Sequence, residues 1–319
     1  MSKYAKAPLD LTRLKTIGLQ ERGGKVKIAD FASVYRAGSG ITGLLDSLPH
    51  ILAGDSFRAV IDALRSARDK RRAIIWAMGG HVIKCGLAPV LIDLMRRGYV
   101  TAFALNGAAA IHDFEIALAG HTSEDVEAVL PDGRFGAAEE TGCDMNRAIS
   151  AGAPDGLGMG ESLGRWLETA ARPEFALASL LLEAYRHETP VTVHVALGTD
   201  TPHTHPAADG AVIGSSSLRD FRLLCAYVAD LNEGGVFLNC GSAVVLPEVF
   251  LKAVSAVRNL ENPLAEFHTV NFDFLQHYRP RVNVVERPHA GAGGTGHALT
   301  GHHELLLPLL AAALIETDA

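Results

Sequence analysis

Short apolar runs alternate with amphipathic stretches along much of the chain. In residues 55–72 the apolar side chains recur at i, i+3, i+4 and i+7, which predicts a helix that buries one face. Residues 72–78 then form an apolar run that ends at a Gly-Gly pair, as expected for a strand buried on both faces. The unit repeats with a helical pattern in 87–97, a strand pattern in 99–105 and a further helix starting near residue 110. Two consecutive strand-loop-helix units predict an α/β fold with a parallel sheet.

The segment 120–164 is less regular. Thr122 and Asp125 stand at capping-box spacing, which predicts the start of a helix. The glycines of Gly156–Gly160 resemble a dinucleotide-binding fingerprint, but that motif must follow a strand, and none is predicted before it. We therefore interpret the glycine-rich segment as a mobile loop.

Strand and helix patterns alternate again in the second half of the chain. The predicted helices are 175–186, 218–231, 247–257 and 302–316. The predicted strands are 190–197, 235–239, 266–270 and 282–285. Residues 1–35 are mixed and charged, so we predict an N-terminal arm followed by a single domain over 36–319.

Composition and charge narrow the class of protein. The 29 Lys and Arg against 36 Asp and Glu give 29 − 36 = −7, which argues against a nucleic-acid partner. No apolar run reaches the roughly 18 residues of a membrane span, and the first residues contain no apolar signal core. The four cysteines are far apart and include no CxxC pair, which is typical of a reduced, cytoplasmic protein.

Candidate chemistry falls at the predicted strand ends, because ligands of open parallel sheets bind at the carboxyl ends of the strands. Five polar loops follow such strands, and they could also be plain tight turns; they span 78–84, 106–113, 198–209, 239–242 and 271–273. In one of them, His112 and Asp113 open a helix. The helix dipole alone explains an acid there, but the pair could also bind a polar group, with His112 as acid or base.

The segment around His203 and His205 contains several potential metal ligands. Asp200 could add an oxygen ligand, and residues 302–304 (His-His-Glu) another. The prolines at 202 and 206 make the segment a loop, and it contains no strong metal motif such as HExxH. The competing interpretation is that His203 or His205 binds substrate or carries a proton near neutral pH. We assign no metal ligand from the sequence.

Several motifs, taken in order, resemble deoxyhypusine synthase. Residues 84–118 include Cys-Gly-Leu-Ala-Pro-Val-Leu-Ile-Asp-Leu-Met-Arg-Arg-Gly-Tyr-Val and later Asn-Gly-Ala-Ala-Ala-Ile-His-Asp, which are similar to the early part of that family. The resemblance continues through 220–224 (Asp-Phe-Arg-Leu-Leu), 241–243 (Gly-Ser-Ala) and 308–310 (Pro-Leu-Leu). It spans roughly residues 36–315.

The resemblance implies a single Rossmann-like, doubly wound domain that binds NAD at the strand ends. It also implies a homotetramer with sites between subunits, and we expect a homotetramer or a homodimer. Carried over by position, the nucleotide contacts fall at three turns: Gly79, Gly80 and His81; Asn106 and Gly107; Gly241 and Ser242. Three further residues would line the substrate region: His112, Asp113 and Asp200.

The chain also departs from the deoxyhypusine synthase pattern. The family's essential lysine lies in a Trp-Gly-Lys segment, but residues 279–302 contain neither lysine nor tryptophan. A late aspartate of the family is replaced at His302. We therefore predict an NAD-dependent oxidoreductase or transferase of this group that acts on a small polar or cationic molecule and is not a true deoxyhypusine synthase.

In this interpretation histidines move protons and no covalent lysine intermediate forms. The predicted catalytic residues are His112, Asp113, Asp200, His203 and His302. Two alternatives remain open: a metal-dependent lyase or hydrolase that uses the His203 and His205 cluster, and a non-catalytic ligand-binding homologue.

Overall fold

Six parallel strands form one sheet in the order β3-β2-β1-β4-β5-β6. The computed structural model describes residues 2–316, so residues 317–319 of the predicted domain lie outside the described residues. The strands are β1 Ile74–Met78, β2 Ala102–Asn106, β3 Val191–His194, β4 Val236–Cys240, β5 His268–Asp273 and β6 Thr295–Thr300. The predicted doubly wound parallel sheet is confirmed.

Helices connect the strands and cover the sheet. The α-helices are α1 Gly40–Ser47, α2 Leu52–Asp69, α3 Gly80–Lys84, α4 Ala88–Arg96, α5 Gly107–Ala119, α6 Val126–Val129, α7 Glu139–Gly152, α8 Met159–Ala170, α9 Leu180–Arg186, α10 Gly210–Ala229, α11 Val245–Asn259, α12 Tyr278–Pro280 and α13 His303–Glu316. Short 3-10 turns lie at Ile28–Asp30, Leu130–Asp132, Ala153–Asp155, Ala176–Ala178, Thr201–Thr204 and Arg287–His289.

The sheet is buried on both faces, which explains its continuous apolar strands. In β4, Val236 and Leu238 face the larger apolar cluster, which includes side chains of α2, α4 and α5. Phe237 faces the opposite cluster and stacks on Phe250 of α11, with 3.7 Å between ring centroids. Neighbouring residues of one strand therefore anchor two separate helical layers.

The strand order reverses between β1 and β4, and this reversal places the candidate site. β1, β2 and β3 progress to one edge of the sheet, whereas β4, β5 and β6 progress to the other. The turns after β1 and β4 touch, because the N–H of Gly79 donates to the carbonyl oxygen of Cys240 at 2.9 Å. A Cβ atom on Gly79 would overlap the carbonyl oxygen of Gly241. In doubly wound sheets the ligand crevice lies outside such a reversal.

The predicted strand at 282–285 is wrong. These residues belong to a π-helical turn, Arg281–Glu286, which packs on β5 through a 2.7 Å hydrogen bond from the Thr269 hydroxyl to the Val284 carbonyl. The strand that follows β5 is Thr295–Thr300, which was not predicted from the sequence. A short apolar run is compatible with a buried helical turn as well as with a strand. Here the packing against β5 favours the helical turn.

Two smaller predictions in 120–164 also need correction. Helix α6 begins at Val126 with Asp125 as its N-cap, and Thr122 takes no part in the cap. The Gly156–Gly160 segment does not follow a strand, as expected, but Met159 and Gly160 already belong to α8 and do not form a loop. Only glycine fits at these two positions. A Cβ atom on Gly158 would overlap the Asp220 carboxylate, and a Cβ atom on Gly160 would overlap the Val191 carbonyl.

Asp220 explains this close packing. Its carboxylate accepts the N–H groups of Gly160 at 3.0 Å and Val193 at 2.8 Å, and so links α8 to β3. Burial raises the pKa of this carboxyl to about 7, while the backbone hydrogen bonds oppose the rise. The glycines of this motif therefore allow α8 to pack closely against the edge strand β3.

Residues 2–29 are exposed and contain short turns, such as the one closed by a 3.0 Å bond from Leu14 N–H to the Leu11 carbonyl. Residues 30–35 join the domain through backbone bonds such as the 3.0 Å bond from Ser33 N–H to the Ser47 carbonyl. The arm boundary at residue 35 stays a prediction. Among residues 2–316, no helix has the length and apolar character that crossing a bilayer would require.

Candidate functional site

The three predicted nucleotide turns lie at one edge of the sheet, after β1, β2 and β4. Asn106 caps α5, since its Oδ1 accepts the N–H of Ala109 at 2.9 Å. Ser242 lies before α11, where its hydroxyl accepts the N–H of Leu246 at 3.2 Å. Both side chains therefore stabilise helix starts in this edge, and their contact with a cofactor stays a prediction.

His112 lies at this edge, in the second turn of α5. A Cβ atom on Gly80 would be 3.0 Å from its Cδ2 atom, so the imidazole packs directly against the turn after β1. Its Nδ1 lies 2.7 Å from the Thr122 hydroxyl, which in turn donates to Glu115. The hydroxyl of Thr141 donates to the other Glu115 oxygen at 3.0 Å.

This chain of hydrogen bonds assigns the protons. The Thr122 hydroxyl gives its hydrogen to Glu115, because an ionised carboxylate can only accept. The Thr122 oxygen therefore accepts from His112, which places the ring proton on Nδ1 and leaves the lone pair on Nε2. Among residues 2–316, Nε2 has no hydrogen-bond partner. In this tautomer the Nε2 lone pair of His112 is unoccupied.

Glu115 supports this arrangement. Burial acts to raise the pKa of its carboxyl, but hydrogen bonds from His112, Thr122 and Thr141 outweigh burial and hold the pKa below its ordinary value. Neither Glu115 nor Thr122 was predicted from the sequence as a site residue. The i, i+3 spacing from His112 to Glu115 was the available signal, whereas Thr122 lies in a loop that folds back only in three dimensions.

Asp113, predicted to be catalytic, is fully buried and points away from His112 toward α9. Its carboxylate accepts the Ser179 hydroxyl at 2.7 Å and the N–H groups of Leu180 at 2.7 Å and Leu181 at 2.9 Å. Burial raises the pKa of Asp113 to about 6, and these hydrogen bonds oppose the rise. With its acceptors taken up by the N-terminus of α9, Asp113 is placed to anchor a helix, not to reach a ligand.

Asp200 lies over the start of α5. A Cβ atom on Gly107 would overlap its carboxylate, so only glycine allows this approach. Burial raises the pKa of the Asp200 carboxyl, while nearby His203 lowers it. The Nδ1 of His203 accepts the N–H groups of Gly198 at 3.2 Å and Asp200 at 3.4 Å. The structure thus brings Asp200 and His203 together at the end of β2.

His203 and His205 do not share a site. The Nδ1 of His205 accepts the N–H of Ala207 at 3.1 Å, and its Nε2 lies 3.3 Å from Glu139. In the described part of the chain, no group of three potential ligands contains His203. The paired-histidine metal site considered from the sequence is therefore not formed.

His302 lies in a different cluster, beside the first turn of α3. Its ring stacks on Phe274 with centroids 6.2 Å apart, and its Nδ1 lies 3.7 Å from Glu304. His81 approaches the edges of Phe274 and His303, at 5.9 and 5.4 Å. The start of α3 therefore separates two groups of side chains, with His112 against Gly80 on one side and the aromatic cluster against His81 on the other.

A cavity of about 550 Å³ opens elsewhere, near the amino end of β3, and Pro190, Tyr185 and Tyr227 contribute to its lining. None of the predicted site residues lines it. We place the candidate site at the carboxyl edge, where the reversal of strand order and the histidines coincide.

No protein-family model and no curated protein matches the sequence. Solved structures do match the fold. A protein of the LOR/SDH type from Methanococcus maripaludis S2 is 15% identical, with a TM-score of 0.52, covering 84% of this chain and 71% of that one. A protein assigned as a deoxyhypusine synthase from Entamoeba histolytica is 11% identical, with a TM-score of 0.51, covering 89% and 96%.

A third similar structure is the complex of AgrE with ornithine and NAD+, which is 17% identical with a TM-score of 0.52. The match covers 85% of this chain but only 34% of AgrE, so the chain spans about a third of that protein's length. At these identities the likeness defines the fold. Together with the strand order, it shows that this chain has the deoxyhypusine synthase-like, Rossmann-type fold that the sequence motifs indicated.

Proposed function

We propose that the chain is an NAD-dependent enzyme of the deoxyhypusine synthase-like group, acting on a small polar or cationic molecule without a covalent lysine intermediate. The observation that carries the proposal is His112, whose Nε2 is unoccupied while Nδ1 is tied through Thr122 to Glu115. A histidine held in this way, beside the crevice of a doubly wound sheet, is suited to accept a proton from substrate.

The residues at the strand ends fit a dinucleotide. Gly79 and Gly107 have no side chains, which lets the turn after β4 and the Asp200 carboxylate pack against the first two turns of the crevice. The Asp200 carboxylate lies at the end of β2, where folds of this type use an acid to bind ribose hydroxyls. NAD, when bound, supplies hydride acceptance or donation.

The chain's own residues would handle the accompanying proton and the substrate. His112 accepts the proton at Nε2, and Glu115 stabilises the resulting imidazolium through Thr122. Asp200 and Glu304 place negative charge at the same edge, which favours a polar or cationic substrate. AgrE has been captured with ornithine and NAD+, which is consistent with this substrate class. We also propose a homotetramer or homodimer.

Native mass spectrometry of the full chain tests cofactor and assembly together, and calorimetric titration with NAD gives the affinity. We expect one NAD per chain, a higher melting temperature with NAD, and an assembly of two or four copies. Gly79→Ala should weaken NAD binding at least about tenfold, since a Cβ there pushes apart the two turns of the crevice.

Gly210→Ala is the matched control, because a Cβ at Gly210 meets no atom within 4 Å. A folded wild-type protein that neither contains nor binds NAD would refute the proposal. If the protein binds NAD but oxidises or transfers none of the amines, alcohols and amino acids tested, the result would instead support a non-catalytic homologue.

A further inference from the structure

Three side chains with metal-binding atoms converge beside α3, and one of them, Glu304, also places negative charge near the proposed substrate region. The ligand atoms of His81, Cys85 and Glu304 all lie within 4.8 Å of one another. His81 Nε2 is 3.2 Å from the Cys85 sulfur, and that sulfur is 3.7 Å from Glu304 Oε2.

These separations match the edges of a tetrahedral metal site. With bonds of about 2.0 Å to nitrogen or oxygen and about 2.3 Å to sulfur, neighbouring ligand atoms of a tetrahedron lie about 3.5 Å apart. A single ion can therefore touch all three atoms with small side-chain adjustments. Nitrogen, thiolate and carboxylate together form a ligand set typical of zinc.

The positions of the ligands are fixed by the fold. His81 and Cys85 are four residues apart, on one face of the turn that follows β1. Glu304 comes from the first turn of α13, which follows β6. Two strand-anchored elements thus present the three groups to one point, and His81 and Glu304 are exposed, so an ion can reach them.

The free ring nitrogen of His81 is compatible with metal binding. Among residues 2–316 the Nδ1 of His81 has no hydrogen-bond partner, so the ring can carry its proton there and offer the Nε2 lone pair. A divalent cation that binds Cys85 as a thiolate displaces the thiol proton, which passes to solvent.

A second cluster shows that three neighbouring ligand atoms do not by themselves make a metal site. Glu139, Cys143 and His205 also bring three ligand atoms within 4.8 Å. Here the Nδ1 of His205 accepts the N–H of Ala207, so the neutral ring carries its proton on the Nε2 that faces Glu139. That nitrogen has no lone pair for a metal, and this second cluster serves as the internal control.

We propose that His81, Cys85 and Glu304 form a site for a zinc-class divalent cation, with three protein ligands and an open position beside Phe274 and His302. Such an open position admits water or a polar group of a ligand. The site is distinct from His112, from which the start of α3 separates it.

The test uses the full chain, stripped of metal and titrated with Co²⁺ under reducing conditions. We expect one equivalent of Co²⁺ to bind, with a thiolate-to-cobalt charge-transfer band that Zn²⁺ abolishes by displacement. Cys85→Ser should remove the band and weaken Zn²⁺ binding by more than about 100-fold, and Glu304→Gln should weaken it by at least about tenfold. Circular dichroism confirms that each variant is folded.

Cys143→Ser and Cys225→Ser should leave the band unchanged. The proposal is overturned if the wild-type protein binds no stoichiometric metal, or if Cys143→Ser and not Cys85→Ser removes the band. NAD affinity, measured separately on the metal-free protein, shows whether the dinucleotide proposal stands or fails independently.

Discussion

The Nδ1 atom of His112 lies 2.7 Å from the hydroxyl oxygen of Thr122, and this contact fixes the ring tautomer. We predict that neutral His112 carries its proton on Nδ1 in the wild-type protein. Thr122→Val removes the acceptor and should shift the population toward the Nε2–H form, whereas Thr122→Ser should preserve the wild-type tautomer. Nitrogen-15 NMR of the histidine rings measures the tautomer directly. An unchanged spectrum in Thr122→Val would contradict the assignment.

Glu115 should make the stability of the protein depend on pH in the acid range. Its pKa is lower in the folded protein than its ordinary value of 4.5, because the hydrogen bonds from His112 and the two threonines outweigh burial. The carboxylate therefore stabilises the fold above that value, and the contribution disappears as the pH falls through the folded pKa.

We expect Glu115→Gln to lower the free energy of unfolding by about 1–3 kcal/mol at pH 7 and by less at acid pH. Urea denaturation of both proteins between pH 7 and 3.5 checks this. A stability difference that grows on acidification would show that Glu115 is not held ionised by this network.

Asp113 should matter for stability whether or not the protein is an enzyme. Asp113→Ala leaves three buried donors at the start of α9 without an acceptor, so we expect a loss of about 2–4 kcal/mol. His112→Asn, one position earlier and partly exposed, should cost under about 1 kcal/mol. Chemical denaturation ranks the two, and equal losses would argue against the anchoring role of Asp113.

The close approach of Asp200 to Gly107 can be measured by a double-mutant cycle. Gly107→Ala alone should destabilise the protein by about 2 kcal/mol or more, because its Cβ would overlap the Asp200 carboxylate. In an Asp200→Gly background the same change should cost far less, since the carboxylate is absent. Additive losses in the thermal unfolding of the four proteins would mean that the two residues do not press on each other.

The sheet could be predicted where its strands are continuously apolar. The runs that became β1 and β4 end at glycine or asparagine and are buried on both faces, so local pattern and final packing agree. β6 was missed because Thr295–Thr300 is a largely polar edge strand whose side chains remain mostly accessible. Its place in the sheet depends on pairing with β5, which no local pattern reveals.

For the candidate site too, the placement of residues could be predicted from the sequence, but their side-chain contacts could not. The strand-end rule placed His112 and Asp200 at one edge, because the parallel arrangement determines where every strand ends. The direction of each side chain could not be inferred in this way. Asp113 and His112 are adjacent in sequence but lie on different sides of α5, and the partners of Asp113 come from residues 179–181, far along the chain.

The carboxylate of Asp200 at the end of β2 has a consequence for the choice between related coenzymes. If NAD binds as proposed, an acid at this position would bind the two free hydroxyl groups of the adenosine ribose. NADP carries a phosphate on that ribose, and the negative charge of Asp200 would repel it. Since residues 198–210 contain no lysine or arginine to compensate, we expect the proposed crevice to bind NAD more tightly than NADP.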